Sequence, residues 1–360
     1  MGLLSNITRK LTEDALNIAR TPVETVRQWK YTVEAVQRGE VPASEVLRVV
    51  VSTIAATAMV LALLFPIYWI FTAAISGSGA SLYTSDSITL IPPNPTVKPF
   101  VWVVGDIGIP SLAITVAIPL TDLAFVFETP GLTFLDASAY GVDRPSEFKQ
   151  FLWNSVTVAI PTVLIAMALI IPASYALSRR EFLFRRKILF LYVLMTQVGG
   201  GLGVALLIGM YAIYVQFGIN DNKLALAVYY AATAVPFNTW LLKTYMDGIP
   251  VSYEEAAVVD GAPPWRVVWE VILPMSAAGL ATVFIFTFLT GWTEFVVAQT
   301  LLGTENYTLP VGLYSLVDEY SIPWARFSAF ALTFATPIML VYLFAQRYIE
   351  GGLSFSGVEG

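Results

Sequence analysis

The chain has 360 residues, of which 56% are hydrophobic and only 13% charged, with a formal net charge of −6 and a mean hydropathy of +0.69. A soluble domain of this size is not so apolar, so the sequence belongs in a bilayer. Cysteine and histidine are both absent, which excludes disulfides, thiolate or imidazole metal sites, Cys nucleophiles and Ser-His-Asp triads. Enzyme chemistry would have to rest on carboxylates or lysine. No Gly-x-x-x-x-Gly-Lys-Ser/Thr occurs: Gly199-Gly200-Gly201-Leu202-Gly203 lacks the lysine and lies in an apolar run, where glycine serves close helix packing or local unwinding.

Residues 1–48 contain no apolar stretch of the kind a cleaved signal peptide needs. Seven basic and six acidic side chains, with breaks at Pro22 and Pro42, suit an amphipathic extension of two helices on the cytoplasmic side or along the membrane surface. Apolar segments approaching or exceeding the ~20 residues of a span follow at about 49–75, 151–177, 188–216, 224–246, 276–301 and 327–346, which predicts six transmembrane helices. A seventh candidate, Pro99 to Leu120, carries Asp106, two glycines, Pro110 and Pro119. A central Asp costs roughly +2.5 to +3.5 kcal/mol on insertion, and the Val/Ile alternation there reads as strands. Six spans also put fifteen of the twenty Lys and Arg residues on one face, which by the positive-inside rule is the cytoplasm. Both termini are then cytoplasmic, residues 76–150 form a partly β extracytoplasmic subdomain, 247–275 is a cytoplasmic loop, 302–325 an external loop and 347–360 a cytoplasmic tail.

The loop 247–275 holds the most distinctive pattern. Ser252 can cap a helix and Glu255, three residues on, can reach back in a capping box. Ala256 and Ala257 follow on that helix, Asp260-Gly261 suits the reversal that ends it, and Pro263-Pro264 pre-sets the first turn of the next. Small residues flanked by Glu254 and Glu255 make a knob that can enter a cleft, although an ordinary connector also starts helices this way.

Glu294 is the one acidic residue well inside a span. An intramembrane carboxylate is functional by default, unless it lies at the outer end of its helix in a structural role. Trp292, Thr293, Gln197 and Asn238 are candidates to line a pathway, against the plainer role of buried amides and hydroxyls in bonding helix to helix. Tyr307, Tyr314, Tyr320 and Trp324 in the external loop can stack on sugar faces, or serve as an interfacial aromatic belt. The sequence pI near 4.8 suits a high-salt prokaryote and gives no sign of nucleic-acid binding.

Glu255-Ala256-Ala257, Gly261 and Ile272-Leu273-Pro274 resemble the EAA loop of membrane subunits of ATP-binding-cassette importers. Leu152-Trp153-Asn154-Ser155-Val156, Tyr175-Ala176-Leu177-Ser178-Arg179, Trp292-Thr293-Glu294-Phe295, Tyr307-Thr308-Leu309-Pro310-Val311-Gly312 and the Gly351-Gly352 ending extend the likeness. They resemble the MalG-like family of maltose/maltodextrin permease subunits, over roughly 49–75 and 150–360. Two departures stand out: Ala278 lies near the place of a usual second proline, and Glu359 occupies a place where lysine is common. The resemblance implies an all-α integral membrane protein with the six-helix, type I ABC importer permease (MetI-like) fold. It also implies a transport subunit and not an enzyme. Its partners would be a second, MalF-like permease subunit, two copies of a cytoplasmic MalK-like ATPase that hold ATP-Mg, and an external solute-binding protein that delivers sugar. This chain would bind no cofactor itself. The coupling residues implied are Ser252, Glu254, Glu255, Ala256, Ala257, Asp260, Gly261, Ile272, Leu273 and Pro274, with the Glu254 and Glu255 charges pairing with basic groups of the ATPase. The loop with Tyr307, Gly312, Tyr314, Tyr320 and Trp324 would reach towards the binding protein and help release sugar. The competing class is an ion-coupled secondary transporter or channel subunit, for which inverted repeats and several midplane carboxylates are expected. A membrane scaffold is the third class, and it leaves the ordered loop motif unexplained.

Overall fold

A computed structural model describes residues 42–77, 92, 94–109, 113–117, 124–128, 131–201, 203–317 and 322–355. The first 41 residues of the amphipathic extension, most of 78–93 and the last five residues lie outside them. The first helix, α1 (Ala43–Ala74), is apolar around its whole circumference, and Ile54, Leu61, Leu63 and Phe65 are each more than half exposed. Such a helix has no aqueous face and satisfies its backbone only internally, as lipid requires. The residues to Trp69 form one compact unit and those from Ile70 another.

The second unit begins with α2 (Lys98–Val104), then β1 (Ile107–Ile109), β2 (Ala113–Ala117), β3 (Ala124–Glu128) and β4 (Leu132–Leu135). β2 pairs antiparallel with β3 inside an antiparallel β1–β4 pair, so the segment is two nested hairpins. Sequence alternation predicted strands from Pro99 onward, but the first part is helical: Pro99 sits in the first turn of α2, where its missing N–H costs nothing. Asp106 accepts the Ala137 amide at 2.7 Å and so ties the hairpins' two ends together.

The helical core follows as α3 (Phe148–Arg179), α4 (Arg185–Gly201), α5 (Gly203–Gln216), α6 (Lys223–Asp247), α7 (Ser252–Val259), α8 (Pro264–Met275), α9 (Ala277–Thr293), α10 (Val296–Leu301), α11 (Leu309–Tyr314) and α12 (Trp324–Phe355). Four described helices are long and apolar enough to cross a membrane: α1, α3, α6 and α12. The other two expected spans are interrupted. Residues 188–216 divide into α4 and α5 at the glycine-rich run, each shorter than a span, because glycine weakens a helix interior. The segment 276–301 divides at Glu294-Phe295 into α9 and α10.

α3 and α6 make the most extensive packing pair, with α9 laid against both. Three apolar clusters fill the core. One joins Phe148 and Phe151 of α3 to Trp292, Leu309 and Phe330. A second surrounds Val158, Leu226, Tyr230 and Leu301. The third joins Ile170 of α3 and Leu242 and Met246 of α6 to Ile272, Leu273 and Val283. Polar bonds hold α3 and α6 in register: Ser174 Oγ donates to the Thr239 carbonyl at 3.0 Å, and Lys223 Nζ to Asn154 Oδ1 at the same distance.

Asn222 caps α6, its Oδ1 accepting the Leu224 and Ala225 amides at 2.9 and 3.0 Å. Replacing Asn222 by Ala removes both acceptors and should cost about 1 kcal/mol of stability, read as a lower unfolding temperature of the purified protein with unchanged helix content.

Candidate functional site

The motif-bearing loop folds as helix, turn, helix. α7 has no buried residue. Its end is a Schellman turn: Ala262 N–H bonds to the Ala257 carbonyl at 2.9 Å and Gly261 N–H to that of Val258 at 3.0 Å. Gly261 has φ +81° with open space where a Cβ would point, so glycine is required by backbone conformation and not by crowding. Pro264 opens α8, as the sequence indicated. The stretch Val267–Ile272 is widened into π-type turns, with Leu273 N–H bonding to the Val268 carbonyl. α8 and α9 then meet at 82° at Ser276. Pro274 supplies no N–H to continue the ladder, and the Ser276 hydroxyl turns back onto the Ile272 carbonyl. Ala278 lies in the first turn of α9, so the span begins at this bend without a second proline.

The expected capping box does not form. Ser252 already lies inside α7, Val251 precedes it, and no side chain caps the helix. The Pro250 and Val251 carbonyls take the Tyr253, Glu254 and Glu255 amides instead, so no free N–H is left for Ser252 to accept. Glu254 also differs from expectation. It forms an ion pair with Arg179 at the end of α3, both side chains being about nine-tenths buried, and accepts the Tyr175 hydroxyl at 3.2 Å. Arg179 further donates to the Ile249 carbonyl at 2.7 Å. Glu254 is thus engaged within the chain, whereas Glu255, Ala256 and Asp260 are exposed and Ala257 is half-buried. Ile272 and Leu273 are buried in the third cluster, and Pro274 is exposed.

Around this anchor α7 and α8 present Tyr253, Val258, Val259, Trp265 and Trp269, each more than half exposed, with Val259 at 86%. A cavity of about 530 Å³ lies between the end of α3 and the two helices, lined by Ser178, Arg180, Glu255, Val258 and Val267 among others. Large apolar side chains beside carboxylates and a concavity have the composition of a protein-docking surface.

The candidate pathway residues do not form one surface. Trp292 is buried, stacked between Phe288 and Phe334 with centroids 5.3 and 6.3 Å away; it packs the core. Asn238 is buried too, its amide donating to the Ala234 carbonyl one turn back while its Oδ1 accepts nothing among the described residues. Thr293 is exposed, with its hydroxyl returned to Leu289. Gln197 lies on α4, and its side chain is outside the described residues. Glu294 accepts the Val297 and Ala298 amides at 3.0 to 3.2 Å and the Tyr230 hydroxyl. It therefore caps α10 and bonds α9's end to α6, the structural alternative for this carboxylate.

The loop expected to be external, 302–325, is clamped where it is described. Asn154 Nδ2 donates to the Glu305 and Tyr307 carbonyls at 2.9 and 3.0 Å, and Ser155 Oγ accepts the Leu309 amide at 2.8 Å. Asp221, at φ +57°, accepts the Gly303 amide at 2.7 Å and Asn306 Nδ2 at 2.9 Å. Gly312 is buried against Phe151: a Cβ there would stand 2.2 Å from the ring. Tyr314 is half exposed and tilts against Phe295, and Trp324 is exposed at the start of α12. Tyr320 is outside the described residues. Sequence reasoning quoted Asn154, Ser155 and Arg179 only as parts of motifs and did not select Asp221 or Tyr230. The Asn220-Asp221-Asn222 run was a turn signal for the first of these; Tyr230 had none.

Apolar helices long enough to span a bilayer, an 82° bent connector and an exposed helix-turn-helix define a multi-pass membrane protein. The chain belongs to the family of binding-protein-dependent transport system inner membrane components, matched over residues 150–354. It is similar to the inner membrane ABC transporter permease protein YcjP of Escherichia coli K12, 31% identical over 59% of this chain and 75% of that protein. The maltose/maltodextrin transport system permease protein MalG of Yersinia pestis is 33% identical over 64% and 77%. The galactooligosaccharides transport system permease protein GanQ of Bacillus subtilis is 31% identical over 59% and 75%. The fold matches a chain in the crystal structure of a bacterial ABC transporter involved in the import of the acidic polysaccharide alginate, with a TM-score of 0.62 at 21% identity, covering 86% of this chain and 98% of that one.

Breaking a mostly buried ion pair from one side leaves an uncompensated charge, at a cost of about 3 to 5 kcal/mol. Arg179→Ala should therefore lower the unfolding temperature sharply. The exchange Arg179→Glu with Glu254→Arg should recover part of the loss in a double-mutant cycle, and Glu255→Gln should leave it unchanged.

Proposed function

We propose that this chain is the membrane-spanning permease subunit of an ATP-driven sugar importer, forms half of the translocation pathway, and is driven by a separate cytoplasmic ATPase through α7. The observation that carries this reading is the α7–Gly261–α8 unit, exposed on its apolar face and fastened to α3 by Arg179 and Glu254. Family membership supports an external binding protein, and relatives named for maltose/maltodextrin and galactooligosaccharides support a saccharide cargo. The single carboxylate within the spans, occupied in capping α10, gives an ion-coupled mechanism little to work with.

In this reading both termini are cytoplasmic, and a second permease subunit and two ATPase copies complete the complex. The ATPase, holding ATP-Mg, grips Val258, Val259, Trp265 and Trp269 and meets Glu255 with a basic group. Its closure displaces α7. The displacement reaches α3 through the Arg179–Glu254 pair and α9 through the buried Ile272 and Leu273, and shifts the population from inward-facing to outward-facing packing.

The test is Gly261→Asp. The left-handed turn disfavours a side chain, and a new carboxylate beside Asp260 and Glu255 adds like-charge repulsion within the turn. The variant should insert and assemble normally, keep basal ATP hydrolysis, and lose stimulation of hydrolysis by sugar-loaded binding protein together with sugar uptake. Normal uptake by this variant would remove α7 from the coupling path.

A further inference from the structure

The charge distribution that orients the chain leaves five basic residues on the external side: Lys98, Arg144, Lys149, Lys223 and Arg326. Two of them are engaged in structural bonds. Lys149 donates to the Asp106 carbonyl, and Lys223 to Asn154. The other three converge on one cavity of about 680 Å³, bounded by Ser76-Gly77, the start of α2, the turn at Asp143-Arg144 and the first turn of α12.

Among the described residues none of these three cations pairs with a carboxylate. Arg326 has its guanidinium 5.0 Å from the Trp102 ring centre, which restricts where its charge can go. Among the described residues Asp143 is the one carboxylate lining the cavity, against three cations. The first turn of α12, a helix of 32 residues, adds the positive end of its dipole through Ala325 and Arg326. Three like charges gathered in a concavity repel one another and focus a positive field into it. Salt bridges among the described residues do not relieve that repulsion, and a bound anion would supply the counter-charge.

We propose that this cavity is a binding site for one oxyanionic group, a phosphate or a carboxylate, on the external side of the membrane. Two guanidinium forks match the planar geometry of such groups and the lysine adds a point charge. The volume is that of a small-molecule site and exceeds what a bare ion fills, so the group arrives on a larger body. Trp102 and Trp324 place the cavity near headgroup level, where a phospholipid phosphate is one source; a free sugar acid or phosphate is the other. The external placement rests on the orientation proposed above.

The test uses the full complex reconstituted in nanodiscs of neutral phosphatidylcholine. One arm adds phosphatidylglycerol and reads retained lipid by native mass spectrometry; the other titrates inorganic phosphate and glucuronate by calorimetry. Arg144→Gln is the first variant, because Arg144 is exposed and bonds to nothing else in the described structure. It should weaken binding roughly tenfold, as losing one charge-assisted contact does, and Lys98→Gln with Arg326→Gln should abolish what remains. Loss in the lipid arm assigns a headgroup; loss in the titration assigns a free anion. Binding that is absent from the native complex in both arms, or equal in native and variant proteins, overturns the proposal. Orientation is read separately: the chain has no cysteine, so Arg144→Cys can be labelled with a membrane-impermeant maleimide. Labelling only from the cytoplasmic side would reject the external placement while leaving the binding result intact.

Discussion

The position of the exposed helix α7 depends on the ion pair between Glu254 and Arg179. An amphipathic helix is ordinarily held by an apolar stripe, but α7 has no buried residue. Its own hydrogen bonds fix its shape and say nothing of where it sits. Glu254 is its polar tie to α3, and the neighbouring Tyr175 hydroxyl and Ile249 carbonyl add one further hydrogen bond to each of the two charged groups. A mostly buried pair satisfied in this way costs more to break than to keep. It leaves the helix's apolar side chains free for a partner.

That arrangement explains the division of labour within the loop. Gly261 needs a left-handed backbone to turn the chain without using side-chain contacts. Past the turn, the chain becomes buried again at Ile272 and Leu273, so α8 is anchored by packing where α7 is anchored by charge. The 82° bend at Ser276 makes α8 and α9 the two arms of one angled element, so in the proposed mechanism a movement of α8 would tilt or rotate α9. A second proline is not needed to make the bend, since Pro274 and the widened turns before it have already broken the regular ladder.

Composition and periodicity made much of this legible. The apolar runs gave the spans, and the Gly261 and Pro264 positions gave the turn, because both signals are local. The interruption at the glycine-rich run of α4–α5 was legible only as one of two readings, local unwinding or close packing, and that at Glu294 was not legible as a break, since a hydropathy window averages over it. Glu254 and Glu255 could not be told apart in sequence. One points at Arg179, 75 residues away, and the other at solvent, and that difference depends on which face of α7 meets α3. Trp292 was a pathway candidate from its place in the Trp292-Thr293-Glu294-Phe295 motif; Phe288 stacks on it from one turn back in α9, but Phe334 comes from α12 and meets it only in the fold.

The same helix carries the other functional end of the molecule. Asn154 and Ser155 lie in the second turn of α3 and hold the loop backbone at Glu305, Tyr307 and Leu309. Arg179 ends α3 and holds α7. The 25 residues between Asn154 and Arg179 span about 37 Å at helical rise, comparable to the thickness of a bilayer. α6 runs beside α3 over this length, bonded to it at Asn154 and Ser174 and packed through two of the apolar clusters. Pro161 and Pro172 each remove a backbone bond from α3, so the helix alone would be a poor rod; α6 splints it. In the proposed mechanism a displacement applied at Glu254 would therefore reach the loop around Tyr307 through one braced element, with no separate relay.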